Sequence, residues 1–130
     1  MNAKRVLIAL LIASAFYGVA STLLFELVYA PYPDPEPWGR AVGVACIVAM
    51  PYALMCLAYR LVDDQASLVV FVASALGIML LGGLLYSGGF GPNDGEYSLV
   101  FVLTPVIQAP LIVLTLAVSL WRRRVRRSVA

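Results

Sequence analysis

Four apolar stretches, each about as long as a bilayer is thick, are separated by short polar connections, with nearly all the cations on one side of them. The stretches cover residues 6–29, 41–59, 66–86 and 99–121. About 20 helical residues rising 1.5 Å each cross a hydrocarbon core ~30 Å thick, so each stretch is long enough to span. Lys4 and Arg5 precede the first, Arg60 follows the second, and Arg122, Arg123, Arg124, Arg126 and Arg127 follow the fourth. Of the nine cations, only Arg40 falls on the other side. Cationic residues near span ends stay in the cytoplasm, which predicts both termini and the 60–65 connection inside, with residues 30–40 and 87–98 exported.

The expected fold class is an all-α integral membrane protein. It is a four-transmembrane-helix bundle in the plasma (inner) membrane, a single domain over 1–130 with a basic cytoplasmic tail at 122–130. Composition agrees. Apolar residues make up 62% of the chain and charged residues 12%, against about 45–50% and 25% in soluble domains. Lys4-Arg5, a short apolar run and Ala13-Ser14-Ala15 resemble a secretory signal, but the apolar run continues to Ala30, which predicts an uncleaved first helix.

The chain has no histidine, which removes the commonest general base, bis-histidine haem ligation and most zinc sites. No cofactor is expected. Cys46 and Cys56 lie ten positions apart on one helix, about 15 Å along its axis, too far to pair with each other.

Small residues recur at helical spacing: Ser14, Gly18 and Thr22, then Ala45, Ala49 and Ala53, then Ala73 and Gly77. Such rows let helix backbones approach closely where lipid supplies no hydrophobic drive, and they are the expected packing or interaction seams. On the fourth stretch Thr104, Gln108, Thr115 and Ser119 share a face expected to turn away from lipid. Pro51, Pro105 and Pro110 remove ladder hydrogen bonds, and Pro51, Gln108 and Pro110 count out to near mid-membrane. With Thr104 and Thr115 they form a candidate midplane polar site. Glu26 is the one carboxylate within an apolar stretch, and Arg40 is its expected partner in an interfacial ion pair.

The connections carry the remaining charge. Pro31, Pro33, Pro35 and Pro37 predict an extended strap, and Gly88, Gly89, Gly91 and Gly95 a loose turn. Asp34, Glu36, Asp94 and Glu96 read as a solvated acidic surface, with hard-cation binding as the alternative. Asp63 or Asp64 is expected to cap the third helix, with Asp64 four residues from Arg60. The five tail arginines are expected to anchor the chain to anionic headgroups, with no nucleic-acid role. The leading functional expectation is a non-enzymatic accessory, assembly or inhibitory subunit that contacts another membrane protein or its own copies. The alternative is a small oligomeric channel or transporter, and the third an intramembrane enzyme.

Overall fold

A computed structural model describes residues 2–29, 37–88 and 97–130, all essentially helical. The proline strap, the glycine-rich turn and the carboxylates of Asp34, Glu36, Asp94 and Glu96 fall outside the described residues, apart from Pro37 and Gly88 at helix ends. Helix α1 spans Ala3–Leu24 and continues as a π-helical turn over Phe25–Tyr29. Helix α2 spans Pro37–Ala58 and tightens into a 3₁₀ turn at Tyr59–Leu61, α3 spans Gln65–Gly88, and α4 spans Tyr97–Val129. Each contains a segment long and apolar enough to cross a membrane.

Local chemistry fixes the helix starts. The Asn2 side chain accepts from Lys4 N at 3.2 Å, capping α1. Asp64 does the same for α3, its Oδ1 accepting from Ser67 N at 3.1 Å and from the Ser67 hydroxyl.

The helices form a ring in the order α1, α2, α4, α3, and the diagonal pairs meet least. Because α2 and α3 are diagonal partners, the turn between them crosses the end of the bundle. Lys4 and the α4 arginines gather there too, making it the basic end of the molecule. One core cluster gathers Leu11, Tyr52, Met55, Phe71, Ala75, Ile78 and Ile112 from all four helices. A second, at the opposite end, holds Phe25, Val48, Tyr86 and Phe101. There Phe101 stacks on Tyr86 with centroids 5.5 Å apart and meets Phe25 at 5.2 Å. Tyr86 is fully buried inside the bundle. Trp38 and Trp121 are exposed.

The fourth helix is the longest described. Its 33 residues rise about 50 Å, beyond a ~30 Å core, and the arginine segment forms its last turns. The reason lies in the α2–α3 turn, whose carboxylates hold those turns in place.

Candidate functional site

The core has a polar centre assembled from three helices. Gln108 on α4 is fully buried, and its Nε2 donates to the main-chain oxygen of Ile78 on α3 at 2.8 Å. Tyr52 reaches across from α2 until its hydroxyl lies against Gly82 of α3, on the spot that a Cβ would occupy. Gln108 Nε2 sits 3.3 Å from the same spot. Glycine at 82 is therefore what admits the tyrosine. The Tyr52 hydroxyl lies beside the Gln108 amide without a hydrogen bond of ordinary geometry, and the Tyr86 hydroxyl, Gln108 Oε1 and Ser119 Oγ are likewise buried and unbonded. Thr104 and Thr115 are buried on the same side of α4 as Gln108, with Thr115 Oγ1 donating to Leu111 O at 2.9 Å.

Of the residues grouped at mid-membrane from sequence, Pro51, Thr104, Gln108 and Thr115 are buried, and Pro110 is exposed. Pro110 therefore leaves the group. Two residues on from Gln108, at 100° per residue, it is carried to the outer side of the helix. Sequence reasoning misses Tyr52 and Tyr86, although a tyrosine beside Pro51, far from either span end, is a visible signal.

The small-residue rows divide between inside and outside. Gly18 and Thr22 are buried, and Thr22 Oγ1 donates to Gly18 O at 2.8 Å. A Cβ on Gly18 would stand 2.9 Å from Val48 Cγ1 and 3.1 Å from Tyr86 Cε2, so this glycine is where α1, α2 and α3 converge. Leu111 of α4 comes within 3.0 Å of the same position on Gly77. Ala45 is buried, Ser14 and Ala49 are half-buried, and Ala53 and Ala73 face outward.

Charged residues pair at both ends. Arg40 Nε lies 3.1 Å from Glu26 Oε2, and the Glu26 side chain, within the π-helical turn, is only 3% exposed. At the basic end Arg122 Nε meets Asp64 Oδ2 at 2.7 Å, Arg123 Nε meets Asp63 Oδ2 at 2.8 Å, and Arg126 Nη2 approaches Asp64 at 3.4 Å. Asp64 thus caps α3 with one oxygen and clasps α4 with the other. Arg122, Arg123 and Arg126 make these pairs while their side chains stay partly exposed. Arg124 and Arg127 remain exposed. The Arg123 guanidinium, hydrogen-bonded to Asp63, holds that carboxyl below the usual aspartate range. Among the described residues, no group of three or more metal-ligating side chains is found.

Comparison of the chain with family models, curated proteins and solved structures returns no match.

Proposed function

We propose that the chain is a multi-pass inner-membrane protein with both termini cytoplasmic, a single domain that works by contact as an accessory, assembly or inhibitory subunit of a larger membrane complex. The observation that carries this reading is the outer face of α3. Val69, Ala73, Leu76, Leu80 and Leu84 are exposed at spacings of three and four, with a small residue among bulky ones. A second helix can lay its side chains into such a face and approach closely at Ala73. The rigid arginine-bearing end of α4 adds a cytoplasmic landmark beside it.

Purification of the full chain in mild detergent, with a photo-crosslinker at position 73, tests the reading. Capture of one membrane protein or of a second copy is expected, lost on Ala73→Leu with helix content unchanged. A chain that purifies alone and crosslinks to nothing rejects it.

The buried Tyr52 and Tyr86 hydroxyls and Gln108 Oε1 favour a second reading, a small channel or transporter with a polar site in the bundle. Solute flux in liposomes that disappears on Gln108→Leu, with the fold intact, would select it over the first.

A further inference from the structure

Two adjoining hollows run along the seam between α1 and α2. The first, of about 260 Å³, is lined by Leu11, Ile12, Ala15, Val19, Ala49 and Ala53 among others, and is almost purely apolar. The second, of about 420 Å³, begins at the shared Ile12 and ends at the basic end between Lys4, Arg5 and Tyr59. We read the two, which share Ile12, as one groove, apolar along its length and cationic at its mouth. Lys4 is held there, its Nζ 5.9 Å from the centre of the Tyr59 ring, which in turn packs on Phe71 at 5.8 Å.

We propose that this groove binds one anionic phospholipid, its phosphate on Lys4 and Arg5 and an acyl chain along α1 as far as Val19. Three observations support this occupant. Charge is confined to one end, as it is in a lipid. The rise from Lys4 to Val19 is about 22 Å, matching one leaflet with its headgroups, half of roughly 40–45 Å. The small side chains Ala15, Ala49 and Ala53 line the hollow and leave room there for a polymethylene chain. Basic residues at the cytoplasmic ends of helices are suited to anionic headgroups.

The test uses the isolated full chain, so its outcome is independent of whether a protein partner exists. Phosphatidylglycerol and phosphatidylcholine with identical chains are titrated in mild detergent, and bound lipid is counted by native mass spectrometry. The wild type should prefer phosphatidylglycerol roughly 30-fold, the effect of two cations near the headgroup. K4Q/R5Q should erase the preference, while Arg60→Gln, which alters a cation at the same end but outside the groove, should leave it. Filling the groove from either wall, with Ala15→Leu or Ala53→Leu, should weaken both lipids alike; two variants guard against one misfolding, which circular dichroism detects. A preference that survives K4Q/R5Q, or that falls equally with Arg60→Gln, overturns the proposal. So does unchanged binding in both groove-filling variants.

Discussion

Gln108 on α4 donates its side-chain amide to the main-chain oxygen of Ile78 on α3, 2.8 Å away, making a hydrogen bond between helices inside the bundle. Hydrocarbon offers an amide no partner, so the polar group must turn inward, and the interhelical bond is where it is satisfied. Such bonds contribute little in membrane proteins, because the dissociated helices also find partners. Gln108→Leu should therefore cost on the order of 0.6 kcal/mol in a detergent unfolding titration. A contact protein should keep its partner binding after this change.

The Tyr52 hydroxyl and Gly82 occupy one another's space, which predicts a coupled pair. Gly82→Ala places a methyl on the hydroxyl and should destabilise by about 1–3 kcal/mol, the usual cost of overpacking. Tyr52→Phe removes the hydroxyl, which makes no hydrogen bond of ordinary geometry, and should be close to neutral. In the Tyr52→Phe background most of the cost of Gly82→Ala should vanish, and a double-mutant cycle with no coupling would contradict the geometry.

Gly18 has no such escape, because the atoms it faces are the Val48 branch and the Tyr86 ring edge. Gly18→Leu should disrupt the α1–α2–α3 convergence. In unfolding titrations and partner pull-downs it should do more damage than neutralising any one of Asp34, Glu36, Asp94 or Glu96. The reverse ranking would move weight to those four carboxylates.

Glu26 and Arg40 are unequally buried, and the two single substitutions should differ accordingly. Arg40→Gln strands a buried carboxylate and should cost about 2 kcal/mol, between the values for exposed and buried pairs. Glu26→Gln leaves a half-exposed guanidinium that water can solvate and should cost less. The double substitution should recover part of the Arg40→Gln loss.

At the basic end the clasp should respond to acid. The Asp63 carboxyl is depressed below its ordinary value of about 3.9, chiefly by its hydrogen bond to Arg123. A depressed carboxylate stabilises fully above the unfolded-state value, and its contribution is lost as pH falls through the folded-state value. A spin label at position 128 should therefore report a more mobile α4 end below about pH 4 than at pH 7. Asp63→Asn should loosen it at pH 7 and flatten the profile.

The spans were readable because bilayer thickness sets a helix length and an apolar run of that length can hardly do otherwise. Glu26 and Arg40 were readable as neighbours because both flank the same short connection. The clasp was not. Asp64 and Arg122 lie 58 positions apart, and their meeting depends on α2 and α3 being diagonal, which no helical periodicity encodes. Periodicity also left the small-residue rows undivided: in a span apolar on every side, Gly18 facing in and Ala73 facing out look the same. The π-helical turn at Phe25–Tyr29 adjoins the aromatic packing of Phe25 and Phe101, a tertiary circumstance without a local signature.

The order of synthesis adds a consequence of the clasp. Asp63 and Asp64 emerge from the ribosome about sixty residues before the arginines that neutralise them, so the nascent α2–α3 hairpin carries two adjacent carboxylates until α4 arrives. Docking of α4 pairs both carboxylates at once. The charge of the α2–α3 turn is thus balanced by the last part of the chain to be made.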